Sequence, residues 1–419
     1  MKRLFLYLIY FSFSTSFAQN KINAGMWRGT LTLNKEQGVE LPFTFEIVYK
    51  NPPGPTSSRA GKNQIVIHNA TERILVEDVT IKEDSLNFKM PVFDSEFRTK
   101  LINGELLGVW INHSRKDKNV LAFRAEYNKT NRFPFPADKP HTFYEGKWEC
   151  DFSPGNADSS KAIGIFHHEN GSVYVSGTFL TETGDYRFLE GMMSKGKLYL
   201  SCFDGSHAFL FTAESADGNS ITKGDFYSGM HHHETWAAKR NDKFELRNPE
   251  SLTFLKNPNE KINISFPNLE NKMVTLNDKK FENKPVIIQI MGSWCPNCMD
   301  ETAYLSEVYK QNKSKGLEII ALAYERSTEF EKAKTAVSRV KNRFNVEYEI
   351  LITGLTGAAK ASESLPFLNK VMAFPTTIIL DKKHLVRSIY TGFSGPATGK
   401  AYDNYKLQTE TLINKLLKE

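Results

Sequence analysis

The chain of 419 residues carries only four cysteines, so it is not a scaffold stapled by disulfides. It also lacks an apolar run of the ~20 residues that a membrane-spanning helix needs. No large charge imbalance is present: 54 Lys+Arg against 48 Asp+Glu leave +6. That excess is too weak to point to a nucleic-acid partner. With 40% hydrophobic and 24% charged residues, the composition excludes a mainly disordered or collagen-like protein. The length allows roughly two to four domains.

The N-terminus supplies the first positive signal. Lys2 and Arg3 precede an apolar run from Leu4 to Phe13, and Ser16-Phe17-Ala18 places small residues where a signal peptidase reads them. The run is near ten residues, too short for an anchor. Residues 1–18 are therefore expected to be a cleaved signal peptide, and the mature protein to be exported, most simply to a periplasm. No cysteine follows the run to take a lipid.

From Gly25 to about Arg240 the pattern is β. Runs such as Phe43–Val48, Ile65–Ile67 and Val173–Val175 are β-branched or aromatic and bounded by Gly, Asn and Asp turns, while helical periodicity is nearly absent. The region repeats itself. Gly25-Met-Trp-Arg28 returns as Gly146-Lys-Trp-Glu149, Phe93-Asp94 as Phe203-Asp204, and Gly108-Val-Trp110 as Gly224-Asp-Phe226. The Pro-rich Asn51–Pro55 is a loop insertion in one copy, and Phe133 through Pro140 is the expected linker. The expectation is two antiparallel β-meander repeats, 25–130 and 145–240, forming either two small barrels or two halves of a larger one.

After Pro249 apolar runs alternate with helical segments. Pro285–Ile290 and Leu317–Ala323 read as strands buried on both faces, with a helix over 297–315 between them. A helix over Thr328–Phe344, strands at Tyr348–Ile352 and Phe374–Leu380, and a closing helix over Asp403–Leu417 complete an α/β domain spanning 260–419.

Gly292-Ser-Trp-Cys295-Pro-Asn-Cys298 joins the first of these strands to its helix. One helical turn brings the two cysteines within bridging reach, and Pro296 suits the first helical position. Cys295 then sits at a helix N-terminus, where free N–H groups favour a thiolate. Cys298 lies deeper and is placed to resolve a mixed disulfide. A zinc site would need a second ligand pair, and downstream there is only His384 and no cysteine. A structural bridge across two residues would close almost no loop. The spacing thus points to redox chemistry.

The Trp-Cys-Pro-Asn-Cys motif after a strand, with Ala373-Phe-Pro375-Thr-Thr before a later one, resembles the thioredoxin superfamily. The lead Phe266–Leu276, Glu301 three residues past Cys298, and an additional strand-helix-strand unit before Pro375 resemble its TlpA-like exported thiol–disulfide oxidoreductases. The resemblance covers roughly 260–419 and extends weakly to the β repeats, as the extra N-terminal region of some members. It implies a cis Pro375 packed against the cysteine pair. The missing N–H of a proline there also leaves the Phe374 backbone free to pair with a substrate chain. Trp294, Pro296, Phe374 and Pro375 are the expected substrate-binding residues. Glu301 shares a helix face with Cys298 and is either the base for that thiol or an ordinary first-turn charge, a part that Asp300 also fits. Thioredoxins carry a buried Asp six residues before the first cysteine. This chain has Gln289 there, which cannot do acid–base work and so favours the base reading of Glu301 without closing the other. Trp294 either shields the disulfide or simply packs.

His231-His-His233 with Glu234 brings at most two imidazoles to one face of a strand, short of a metal site; His167-His168 is similar. Cys150 and Cys202 are either bridged or buried free thiols. The resemblance implies an enzyme acting on protein disulfides or thiols and recharged by a membrane electron donor, with no cofactor, metal or nucleic-acid partner expected. Oligomeric state is not indicated. The rivals are an envelope protein whose β repeats capture a glycan, peptide or protein, and a thiol peroxidase. Against the latter, peroxiredoxins place Thr where this chain has Gly292.

Overall fold

The computed structural model describes residues 21–49, 63–136, 144–168, 172–258 and 262–419. The expected signal peptide, the Asn51–Pro55 insertion and the Pro140 end of the linker lie outside them. No helix among the described residues is long and apolar enough to cross a membrane.

The β region forms two nine-stranded antiparallel sheets, spanning Gly25–Tyr127 and Gly146–Arg240. Numbered within each sheet along the chain, the strands of both run 4-3-2-1-9-8-7-6-5. In the second sheet the third strand pairs with the fifth as well, which closes a barrel; in the first, these strands are not paired. The repeat read from the sequence is thus one topology used twice. Its clearest mark is the opening strand. Gly25 and Gly146 adopt φ of +108° and +110°, which favours glycine. Trp27 and Trp148 are buried, and each indole Nε1 donates to the carbonyl four residues back, Asn23 at 3.0 Å and Tyr144 at 2.9 Å.

One sequence equivalence is corrected. Phe203 ends the sixth strand of its sheet, Lys197–Phe203, whereas Phe93 lies in the loop beyond the sixth strand of the other, Ser85–Lys89. The Phe-Asp likeness therefore joins non-equivalent positions. Phe203 instead leaves its own barrel and fills the core of the first sheet, stacked 4.6 Å from Phe43 and edge-on to Trp110 at 5.2 Å. Burying a phenylalanine contributes about 1.5–3 kcal/mol, so this contact ties the two sheets together. Cys150 and Cys202 are buried free thiols.

The C-terminal part has a five-stranded sheet of β1 (Val286–Met291), β2 (Glu318–Ala323), β3 (Glu349–Ile352), β4 (Thr376–Leu380) and β5 (Val386–Thr391). Their order is β3-β2-β1-β4-β5, with β1, β2 and β3 parallel and β4 and β5 antiparallel to their neighbours. Every residue of β1 is buried, as both faces are covered. The helices are α1 (Pro296–Asn312), α2 (Phe330–Phe344), α3 (Gly357–Ser364) and α4 (Lys400–Lys418). The sequence reading missed α3 and β5. A short hairpin, Ser265–Pro267 with Met273–Thr275, precedes β1, and Asn268 bridges to Leu351 on β3.

Candidate redox site

The turn from β1 to α1 creates the site. Pro296 opens the helix, and Cys295 is its N-cap, accepting from the Cys298 N–H at 3.2 Å. Cys295 and Cys298 are joined as a disulfide, with Cα atoms 5.2 Å apart. The Phe374–Pro375 peptide is cis, and the Phe374 carbonyl oxygen lies 3.4 Å from Cys295 Sγ. Trp294 meets Phe374 edge-on at 5.4 Å and donates from Nε1 to the Tyr324 carbonyl at 3.0 Å. The structure therefore gathers Trp294, Cys295, Pro296, Cys298, Phe374 and Pro375 at one place.

Glu301 is fully buried behind the pair. Gln289 Nε2 donates to its Oε2 at 2.9 Å, while Thr377 Oγ1 at 2.6 Å and the Tyr405 hydroxyl at 3.1 Å donate to Oε1. Burial raises its pKa, the three donors pull it back, and the result is about 7. Glu301 is thus a carboxyl that exchanges its proton near neutrality. The sequence reading treated Gln289 only as a missing acid; here it orients Glu301. The two other donors, 76 and 104 residues away in sequence, left no local signal.

Two further features escaped the sequence. Glu325, two residues beyond β2, is buried and accepts from Ser293 N at 2.7 Å and Ser293 Oγ at 2.6 Å, bracing the loop that carries Trp294. The second is the β region itself, which covers the motif. Asn297 Nδ2 donates to the Asp185 carbonyl at 3.3 Å, and Ser206 Oγ to the Trp294 carbonyl at 3.3 Å. Arg187 reaches from the second sheet to the Pro296 carbonyl at 3.4 Å and pairs with Asp300. Cys295 is consequently only 6% exposed, against 0% for Cys298. The expected order of accessibility holds, but the first thiol is far more covered than the motif alone suggests. Asp300, read as a first-turn dipole charge, belongs to this interface.

The histidine cluster separates. His231 lies in the turn before the ninth strand, His232–Arg240, with its Nε2 3.4 Å from Ser228 Oγ. His232 contacts Glu234 and His233 contacts Asp225, each at 3.0 Å.

Residues 258–405 match the family described as Redoxin. The thiol-disulfide oxidoreductase ResA of Bacillus thuringiensis subsp. konkukian is 29% identical over 120 residues, covering 29% of this chain and 61% of the relative. ResA of Geobacillus kaustophilus is 29% identical over 112 residues, 27% of this chain and 57% of its own. The chain thus spans less than two thirds of these relatives. A solved thiol-disulfide oxidoreductase from Bacteroides fragilis aligns with a TM-score of 0.27 at 17% identity, over 35% of this chain and 99% of that one. The five-stranded sheet, the Cys295–Cys298 pair at its first strand-to-helix turn and the Redoxin match fall together in the C-terminal part, which is similar to thiol-disulfide oxidoreductases of the thioredoxin superfamily and is set behind an N-terminal β region.

Proposed function

We propose that the protein is an exported, most simply periplasmic, thiol–disulfide oxidoreductase that reduces protein disulfides through Cys295 and Cys298. The observation that carries this reading is Cys295 Sγ at the N-cap of α1, accepting a backbone N–H beside the Phe374 carbonyl. In the reduced enzyme, the Cys295 thiolate attacks one sulfur of the substrate disulfide. That S–S bond breaks and one substrate thiolate leaves. Cys298 gives its proton to Glu301 and attacks Cys295 Sγ, releasing the second substrate thiolate, which takes up a proton. Two electrons have passed to the substrate and Cys295–Cys298 is oxidised. A dithiol donor, by the family resemblance a membrane electron carrier, must then restore the pair. Trp294, Pro296, Phe374 and Pro375 line the substrate side. Export rests on the Lys2-Arg3 and Leu4–Phe13 pattern.

Insulin disulfide reduction by the full-length protein, driven by a dithiol donor, tests the reading. Turnover supports it; absence of turnover while the pair is shown to be reduced contradicts it.

Glu301→Gln is expected to slow resolution while sparing the first attack. General-base assistance is worth roughly 10²–10⁴-fold at most, and less for a thiol that ionises unaided. A base works only when deprotonated, so the wild-type resolution rate should rise with pH through about 7, the pKa that burial gives Glu301. The variant should lose that inflection. Stopped-flow Trp294 fluorescence separates the two steps, and equal slowing of both would remove Glu301 from the proton path. Adding Gln289→Asp to this variant returns a carboxylate opposite an amide and should recover part of the rate.

A further inference from the structure

A cleft of about 1040 Å³ opens beside Ser293 and Trp294, the residues that lead into the cysteine pair, and is walled by all three parts of the molecule. The first sheet contributes Asp94 and Arg115, the second Ser206, and the C-terminal domain Trp294, Arg326 and Arg339. Clefts of this size are typical of ligand sites.

Its charges are unevenly satisfied. Arg339 pairs with Asp94 at 3.7 Å. Glu325 spends both oxygens on Ser293. Arg115 and Arg326 have no carboxylate within ion-pair distance among the described residues. Arg115 is half-buried in the loop between the eighth and ninth strands of the first sheet, and burial and then the Arg326 charge lower its pKa. Arg326 lines the cleft with its guanidinium 4.9 Å from the centre of the Trp294 ring, a cation–π seat next to the redox motif. His231, near Arg115, is held well below its ordinary pKa, to about 4, by burial and then by that arginine. Glu329 and Glu331 also line the cleft, and the Glu325 charge partly offsets the burial that lowers the Arg326 pKa, but none of these carboxylates forms an ion pair with Arg115 or Arg326.

We infer that Arg115 and Arg326 form an anion subsite that seats a carboxylate of the disulfide-bearing substrate, an acidic side chain close to the target cysteine of a polypeptide. This rests on the thiol–disulfide reading and names the substrate that the site prefers. A planar guanidinium fork matches a carboxylate, and two forks from opposite walls lose their mutual repulsion when one anion lies between them. The β region thereby takes part in substrate choice: half of the subsite is its own, and the same region covers the motif that carries Cys295.

The test compares full-length protein on peptide disulfides that differ only in Glu, Gln or Lys beside the cysteine. The wild type is expected to prefer Glu over Gln by roughly 10–100-fold in kcat/KM, the worth of a charged hydrogen bond. Added salt should shrink the preference. Arg115→Gln should bring the ratio towards one, and Arg115→Glu should turn it in favour of Lys. Equal wild-type rates on Glu and Gln peptides, or a preference that survives in a folded Arg115→Gln protein, would overturn the subsite. Preference shown only for glutathione disulfide over hydroxyethyl disulfide would assign the carboxylate to a small thiol and overturn the polypeptide. Failure to reduce any disulfide would overturn the thiol–disulfide reading itself, and the preference with it.

Discussion

Cys295→Ser is expected to abolish disulfide reduction, with a loss of at least about 10³-fold. The thiolate is the nucleophile, and a serine hydroxyl neither ionises near neutrality nor forms the mixed disulfide. Cys298→Ser should also stop turnover, for another reason: the first bond still forms, and release fails. The asymmetry follows from the geometry. Cys295 is the N-cap and the more accessible of the two, with Sγ facing the Phe374 carbonyl, while Cys298 lies inside the helix and fully buried. Turnover assays alone would not separate the two variants. Single-turnover loss of a reporter disulfide would: it should persist in Cys298→Ser and vanish in Cys295→Ser, and the reverse pattern would exchange the two roles.

Arg187→Met is expected to be the most damaging change outside the redox motif. Arg187 is 7% exposed, pairs with Glu72 of the first sheet at 2.5 Å and with Asp300 on α1, and lies 3.7 Å from Asp204 of its own sheet. It joins all three parts of the molecule. Removing a buried cation leaves these acids uncompensated, which costs about 3–5 kcal/mol. The penalty should depend on pH. Burial already raises the pKa of Asp300 to about 7 while Arg187 pulls it down. Without Arg187 the folded-state pKa rises further above the unfolded one. The folded state then binds more protons than the unfolded state, so stability falls as pH rises through neutrality. The variant should melt closer to wild type at pH 5 than at pH 8. Loosening the interface should also speed alkylation of reduced Cys295, because the cover that leaves it 6% exposed depends on this contact. Equal melting at both pH values with unchanged alkylation would remove Arg187 from the interface argument.

Much of the C-terminal architecture was legible because its signals are local. Continuous apolar runs mark β1 and β2, and Pro296 marks the start of α1. The missed elements lack such signals: α3 is eight residues with Ala361 alone buried, and β5 is an edge strand of mixed polarity. In the β region the Trp27 and Trp148 repeats exposed the duplication, since both fill the same place in their sheets. The closing of the second sheet depends on pairing between its third and fifth strands, for which one sequence carries no mark. At the site, residue types and spacing revealed the dithiol, whereas its surroundings are built from distant chain. Asp185 lies 112 residues from Asn297, and Tyr405 lies 104 from Glu301. Gln289 could be recognised as a departure from thioredoxin, but its hydrogen bond to Glu301 required the fold.

The central claim, that Cys295 is the thiol that engages the substrate, is tested most directly by capture. Reduced Cys298→Ser protein mixed with a peptide disulfide, quenched with acid and mapped by mass spectrometry, is expected to carry the peptide on Cys295, with Cys150 and Cys202 unmodified because both are buried free thiols. A peptide bound through Cys150 or Cys202, or no adduct from a protein whose Cys295 is demonstrably reduced, would contradict it.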